Sequence, residues 1–365
     1  MSHVFIFRGC HVPVVLRTVS RRVRMVVGFA VALLVLGAVL SLIGWRRVLA
    51  DIAGADPGVF SLGFVAVLAA LFCWSETIRQ LVRGAGLDAG GPRYRAAFLT
   101  GEFAKQAVPL GHSAGPAFTA YAVSSVSDTS YEETFAATVL GEFVNVGASV
   151  LLATAGMLAL LVRQPDNPVV QTLAGGLLLS TAVLLAVAFL VAARRRTLRR
   201  LVQWLAAVVR GTVGRASGRI RAALTPAAVD GGVDTFYLAL DRAADDRRRL
   251  LLAGLFALVG WVSFVLPLVT AFAALGVRIP LALALFAVPV VSLVNIVPTP
   301  GGVGGFELAL AAVVAGLTGL DLGVSTAGVL LYRVTNYAFL LLLGGLASAW
   351  LSVSPATIVA EVGES

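Results

Sequence analysis

The sequence predicts an all-α polytopic membrane protein with about six full spans and two re-entrant helical hairpins arranged as an inverted repeat. Three observations predict this fold: long apolar segments, arginines concentrated in alternate loops, and a Pro/Gly interruption that occurs twice within apolar sequence. Of the 365 residues, 59% are hydrophobic and 13% are charged, and the mean hydropathy is +0.93. A soluble globular protein would show amphipathic periods instead.

The apolar segments have the length of membrane-spanning helices. A helix needs roughly 20 apolar residues to cross about 30 Å of hydrocarbon. Glu142 and Arg333 are the only charged residues inside the predicted spans. These spans are Val26–Gly44, Gly58–Ser75, Thr134–Val162, Val169–Ala193, Leu250–Val277 and Leu322–Trp350.

The net charge of +9 reflects topology. Arginines cluster before the first predicted span, after the second, and after Ala193. Because basic loops stay on the cytoplasmic side, this pattern predicts a multi-pass protein of the cytoplasmic (cell) membrane with both termini in the cytoplasm. Anionic headgroups attract such basic segments, so membrane lipids are the predicted partners and nucleic acid is not.

The Pro/Gly interruption occurs at matching places in two halves of the chain. Val108-Pro109 and Gly115 recur as Val297-Pro298 and Gly304, at an offset of 189 residues. Ala96–Ala107, which precedes the first interruption, has 12 residues and is too short to span. Each interruption is therefore predicted to lie in a re-entrant hairpin, and the span count places the two hairpins on opposite faces. Paired broken helices of this kind indicate a binding site in a repeat-built transporter.

These elements predict the domain organisation. Residues 1–25 form a cytoplasmic segment, residues 26–351 a transmembrane domain, and residues 352–365 a cytoplasmic tail. The halves of the domain cover about 58–193 and 250–351, and a basic segment, 194–249, joins them as helices on the membrane surface. The second arm of the first hairpin starts near Gly115, and the second hairpin consists of Pro280–Val297 and Phe306–Leu317.

Charged residues inside apolar sequence are candidate functional groups. A charge that faces lipid costs on the order of 3 kcal/mol or more, so such residues usually face a bundle interior or a wet cavity. The candidates are Glu102, Lys105 (the only lysine), Glu142, Glu307 and Arg333. A structural alternative stays open, in which Glu307 pairs with Arg333, and Glu102 with Lys105, only to hold the hairpins in place.

The second arm of each hairpin begins at a Gly-rich loop. Its unpaired N–H groups and positive dipole end would point into the membrane, where they form a ready anion site. Together with Arg333 and the Thr299 hydroxyl, this arrangement predicts a site for an anionic group such as a lipid phosphate. The predicted substrate-binding residues are Pro298, Thr299, Gly301, Gly302, Gly304, Glu307, Arg333, Glu102, Lys105, Pro109, Gly115 and Glu142.

The chain is not predicted to be an enzyme. Residues 111–115 match G-x-S-x-G, but that motif needs a preceding strand and a later histidine. No histidine follows His112, and the segment before it resembles a membrane helix. The three histidines and two cysteines form no metal-binding motif, so no metal and no cofactor are predicted.

The residues from Pro298 to Glu307, P-T-P-G-G-V-G-G-F-E, followed by Tyr332-Arg333, resemble the lysylphosphatidylglycerol synthase transmembrane-region family, also called the flippase-like domain family. The resemblance covers roughly Leu42 to Leu351. It implies a stand-alone member that moves a lipid across the membrane and carries no synthase domain, because only 15 residues follow Trp350. The positions that it carries over are Pro298, Gly301, Gly302, Gly304, Glu307 and Arg333.

Two stretches depart from the pattern of that family. Gly115–Thr119 lacks the acidic and basic residues that relatives often carry there, and Gly141-Glu142-Phe143 lacks the arginine that often accompanies the glutamate. A lysylated lipid is therefore not implied. The predicted function is the translocation or binding of a phospholipid or lipid-linked glycan. Two alternatives are a non-transporting scaffold or regulator that binds a lipid-modifying enzyme, and an ion-coupled transporter of small solutes.

Overall fold

A computed structural model describes residues 45–84, 90–107, 114–127, 129–193, 195–212, 225–293 and 300–351. These residues form helices and no strand, which confirms the all-α prediction. The helices are α1 (Trp45–Ala53), α2 (Pro57–Gly84), α3 (Gly91–Ala107), α4 (Gly115–Ser124), α5 (Tyr131–Arg163), α6 (Pro168–Ala193), α7 (Arg195–Thr212), α8 (Pro226–Asp245), α9 (Arg247–Ala274), α10 (Leu281–Leu293), α11 (Gly305–Thr318), α12 (Leu322–Arg333) and α13 (Phe339–Leu351). A 3₁₀ turn, Pro300–Gly302, precedes α11, and a π-helical turn, Val334–Ala338, joins α12 to α13.

Four helical units in the described part of the chain are long and apolar enough to cross a membrane: α2, α5, α9 and the continuous run from Leu322 to Leu351. Large apolar side chains on their outer faces, such as Leu62, Leu151 and Leu255, are more than half exposed, as expected for surfaces that meet lipid tails. These helices coincide with four predicted spans. Val26–Gly44 lies outside the described residues, and Val169–Ala193, within α6, stays a predicted span.

Four consecutive helices that precede the basic segment, α2 to α5, recur after it. The starts of α2, α3 and α4 recur as the starts of α9, α10 and α11 at a displacement of 190 residues, and α5 and α12 are displaced by 191. The helix starts thus differ by one residue from the 189-residue offset of the sequence motif. A second copy of the same order of helices supports the predicted repeat.

The contacts between the halves are reciprocal. Helix α2 packs along its counterpart α9, while α3 packs against α13 and α10 packs against α5. Glycines allow both exchanged contacts. A Cβ at Gly344 would lie 2.5 Å from the Cβ of Phe103 on α3, and a Cβ at Gly156 would lie 2.5 Å from the carbonyl oxygen of Ala282 on α10. Such an exchange is what two copies related by a two-fold axis produce.

The two short helices of the first predicted hairpin, α3 and α4, pack against each other. Gly101 makes the close approach, since a Cβ there would lie 2.6 Å from the Cα of Thr119. Helix α3 begins at Gly91-Pro92, not at Ala96, because proline is well accommodated at the first helical position and the first turns carry arginines that no apolar window includes. At 17 residues, α3 is about 25 Å long.

The basic segment between the halves is helical where the structure describes it. Helix α8 packs against α5 and α2, and α7 packs against α8. Arg199 on α7 forms ion pairs with Asp230 and Asp234 on α8. Half-exposed Arg242 lies 4.0 Å from Glu133 at the start of α5. The segment therefore packs on the helical bundle through α8.

Candidate functional site

A cavity of about 410 Å³ lies between the two halves. It receives side chains from α2, α3 and α5 of the first half and from α9, α10, the 3₁₀ turn, α11, α12, the π turn and α13 of the second. Its walls combine aromatic rings with four charged groups. The lining residues are Trp74, Glu102, Lys105, Gln106, Glu142, Val146, Ser149, Trp261, Phe264, Pro289, Ser292, Gly301, Phe306, Arg333, Asn336, Tyr337 and Leu340.

The glycine-rich loop of the second half is closed by one ion pair. Gly301, Gly302 and Gly304 have φ angles of 59°, 66° and 91°, a region that favours glycine. One carboxylate oxygen of Glu307 accepts from the Gly304 N–H at 2.6 Å, and the other accepts from Nε of Arg333 at 2.6 Å. Arg333 Nη2 donates to the Gly301 carbonyl at 2.8 Å. Arg333 therefore joins both ends of the loop.

Aromatic rings hold the Arg333 guanidinium in place. Its central carbon lies 4.2 Å from the centre of the Tyr337 ring and 5.0 Å from that of Phe306, within the range of a cation–π contact. Tyr337 lies in the π turn that follows Arg333, and π turns inside α-helices often mark functional sites. Arg333 faces the cavity, whereas Glu307 lies behind it and is 5% exposed.

The charged group of the first half has a different composition. Lys105 Nζ lies 3.4 Å from Glu102 Oε1 on its own helix and 3.2 Å from Glu142 Oε1 on α5. The predicted Glu102–Lys105 pair is thus part of a triad with two carboxylates for one ammonium. Gly115 makes room for the lysine stem, since a Cβ there would lie 3.0 Å from Lys105 Cδ.

Glu142 and Arg333 occupy equivalent places in the two charged groups, whereas their partners lie on different arms of the hairpins, Lys105 on α3 and Glu307 on α11, the counterpart of α4. Glu142 and Arg333 are displaced by 191 residues, as are the starts of α5 and α12, and both line the cavity. Each residue forms an ion pair with a short helix of its own half: Glu142 with Lys105 and Arg333 with Glu307. The polarity is reversed, because the long helix carries the acid in the first half and the base in the second.

The predicted site residues fall into four groups. Most of the charged residues and Gly301 line the cavity, whereas Glu307 and Gly115 support residues that do. Gly302 and Gly304 shape the loop through their positive φ angles. Pro109, Pro298 and Thr299 lie outside the described residues.

The sequence did not identify several lining residues. Trp74, Phe264 and Trp261 form a wall of rings whose centres lie 4.8–5.8 Å apart. Helical spacing could have identified two others, because Gln106 and Tyr337 each follow a candidate charge by one turn. Glu76, at the end of the second predicted span, is bound by Arg79 at 2.9 Å and Arg95 at 2.6 Å and does not line the cavity.

The arrangement can hold a polar group away from hydrocarbon. Arg333 uses two of its five N–H groups on described residues, which leaves donors of the kind that bind phosphate. The Glu142 side chain, 29% exposed, offers a carboxylate to hydroxyl or ammonium groups. The aromatic wall offers apolar faces to the rest of a ligand.

Comparison with known proteins places the chain in a family. Residues 25–344 match the family described as the lysylphosphatidylglycerol synthase TM region. A relative from Haloferax volcanii, named glycosyltransferase AglD, is 29% identical over 367 aligned positions, which cover 95% of this chain and 57% of the relative. This chain thus spans little more than half the length of that protein. No solved structure gives a significant match. The chain is a multi-pass membrane protein that belongs to the lysylphosphatidylglycerol synthase TM region family.

Proposed function

We propose that this protein binds the headgroup of a phospholipid or a lipid-linked glycan in the cavity and moves it across the cell membrane. The observation that carries this proposal is the cavity itself, which is lined by equivalent charged positions of both halves. Charged residues at membrane depth are expensive and usually mark a substrate path. A site between repeated halves is where repeat-built transporters bind their substrates.

The cavity favours a lipid over a small free solute. Its polar groups lie beside an aromatic wall, and the surrounding helices present large apolar side chains outward. A lipid can place its headgroup among the charges while its tails stay in the bilayer. The family and the name of the relative agree with a lipid-borne or glycan-borne substrate, although neither identifies it.

Alternating access follows from the repeat. If α3–α4 and α10–α11 are re-entrant hairpins that enter from opposite faces, rocking one half against the other opens the cavity to each side in turn. The N-terminus and C-terminus then both lie in the cytoplasm, in agreement with the positions of the arginine clusters. No covalent chemistry is needed, so the proposed role is that of a transporter, not an enzyme.

Translocation can be measured with purified protein in liposomes. Lipids with a fluorescent tail label are placed in both leaflets, and a membrane-impermeant reductant then bleaches those in the outer leaflet. The panel consists of phosphatidylglycerol, phosphatidylethanolamine, phosphatidylcholine and a polyprenyl-phosphate sugar. We expect at least one lipid to be bleached beyond the outer-leaflet fraction. Equal bleaching in protein-free liposomes and proteoliposomes for every lipid would contradict the proposal.

A second function is favoured by one observation. The relative is named a glycosyltransferase. The alignment covers 57% of it, so the other 43% lies outside the alignment. The chain could therefore serve as a membrane scaffold or regulator for a lipid-modifying enzyme. Substituting Arg333 separates the two roles in protein that stays folded, because a scaffold retains its partner in a pull-down whereas a translocator loses lipid movement.

A further inference from the structure

The first-half triad carries one more acid than base. Glu102 and Glu142 both lie beside Lys105, and the charges that act on Glu102 are those of Lys105 and Glu142. The Glu102 and Lys105 side chains are 8% and 16% exposed. With both acids ionised, the triad would hold an uncompensated negative charge in a poorly solvated place, which is unfavourable.

No other described cation lining the cavity is available to balance this charge. Arg333 is the second base on the cavity wall, and Glu307 compensates it. Arg79 and Arg95 are bound to Glu76, which lies away from the cavity wall. The uncompensated negative charge therefore lies on the triad.

We propose that this triad is a proton-binding site, in which Glu102 and Glu142 share one exchangeable proton and Lys105 stays charged. The bound proton makes the triad neutral, and its release to water in the cavity leaves one net negative charge. The buried amide oxygen of Gln106 supports this assignment. Gln106 lines the cavity one turn beyond Glu102, and its amide oxygen has no described hydrogen-bond partner. This oxygen can accept a hydrogen bond from the O–H group of a protonated carboxyl.

A proton fits this place better than a metal cation does. The ammonium of Lys105 already occupies the position between the two carboxylates, within 3.4 Å of both. A metal ion would have to displace it, whereas a proton only converts one carboxylate into a hydrogen-bond donor. Exchange with water proceeds through Glu142, the most exposed member of the triad.

The described part of the second half has no equivalent site. Its counterpart of Glu142 is Arg333, whose guanidinium only donates hydrogen bonds, and both oxygens of Glu307 accept hydrogen bonds. The other ionisable side chains on α3, on the elements that pack against it and on those that line the cavity are Cys73, Glu76, Arg79, Arg83, Arg93, Tyr94, Arg95, Tyr121, Tyr131, Glu132, Glu133, Arg163, Arg247, Arg248, Arg249, Tyr332 and Tyr337. Helix α13 and the 3₁₀ turn contribute none.

Infrared difference spectroscopy of the protein in lipid tests the site without any transport. A protonated carboxyl has a C=O band that is separate from that of a carboxylate and shifts in D₂O. We expect the wild type to show this band near neutral pH and E102Q or E142Q to lose it. E132Q, which removes an exposed acid on α5, is the matched control and should keep it. In K105M the band should persist, because two neighbouring carboxyls without a cation favour the binding of a shared proton.

Two spectroscopic outcomes would overturn the proposal: no protonated carboxyl in the wild type at any pH above 5, or a band that survives in both E102Q and E142Q. This pH limit lies about 0.7 units above the pKa of an unperturbed glutamate, roughly 4.3.

A coupling experiment extends the proposal and rests on the proposed function. Proteoliposomes with an imposed pH gradient should move the transported lipid faster in one gradient direction than in the other, and E102Q should remove this difference. If no lipid moves at all, the proposed function fails while the spectroscopic result stands. If lipid moves equally in both gradients, the coupling fails while translocation stands.

Discussion

The two charged groups beside the cavity share one pair of equivalent positions, Glu142 and Arg333, and each group stabilises its buried charges differently. In the second half, Arg333, Glu307 and two loop backbone groups form a closed set of hydrogen bonds. In the first half, Lys105 lies between two carboxylates at 3.2 and 3.4 Å, and Glu142 remains partly exposed. The second group is built to fix a loop, whereas the first can change its protonation.

Removing Arg333 should produce the largest loss of stability. R333Q leaves the Glu307 carboxylate buried without its cation, and breaking a buried pair costs roughly 3–5 kcal/mol. Thermal unfolding in lipid nanodiscs measures this effect. The double variant R333Q/E307Q should lose less than the sum of the single variants, since no charge is left unpaired. Simple additivity would show that the two residues do not act as a pair.

Gly301→Ala should produce the second-largest loss of stability. A Cβ at Gly301 would overlap the Tyr337 ring, and its φ of 59° costs a non-glycine residue about 1–2 kcal/mol. We expect a loss of about 2–4 kcal/mol once overpacking is included, read from the unfolding temperature. Gly147→Ala on α5 is the control, because nothing lies within 4 Å of its Cβ position. Similar losses at the two sites would contradict the loop geometry.

Lys105→Met should lower the free energy of unfolding by about 1–3 kcal/mol, because the two carboxylates can take up protons when their cation is lost. This loss is smaller than the one expected for R333Q. The comparison is sharpest as a function of pH. K105M should become more stable as the pH falls towards 5, because protons taken up by the triad remove buried charge, whereas R333Q leaves the triad intact and should show a smaller gain. Parallel pH profiles for the two variants would remove the proposed difference between the halves.

Gly115→Ala should have the smallest effect, about 1 kcal/mol or less. Its Cβ would meet the flexible stem of Lys105 at 3.0 Å, and a lysine side chain can move aside. The helix would also gain from alanine. The same unfolding measurement checks this, with Gly301→Ala as the comparison.

The sequence predicted the repeated broken helices and the five charged residues because Pro, Gly and intramembrane charge act locally. It also offered the Glu307–Arg333 and Glu102–Lys105 pairs, both of which the structure contains, but not the contact between Lys105 and Glu142. Those two residues are 37 positions apart, so their contact depends on how α3 and α5 pack. The π turn after Arg333 likewise has no local signal, as no proline or glycine lies within Val334–Ala338.

The central claim is that the cavity between the halves holds the moving headgroup. Val146 lies on the cavity wall, and Leu151, on the same helix, is 64% exposed on the outer face. A tryptophan at either place adds the same bulk, so the rate of lipid translocation should fall at least tenfold in V146W, roughly the effect of 1.4 kcal/mol, and stay near wild type in L151W. Equal rates in V146W, L151W and the wild type would contradict the account.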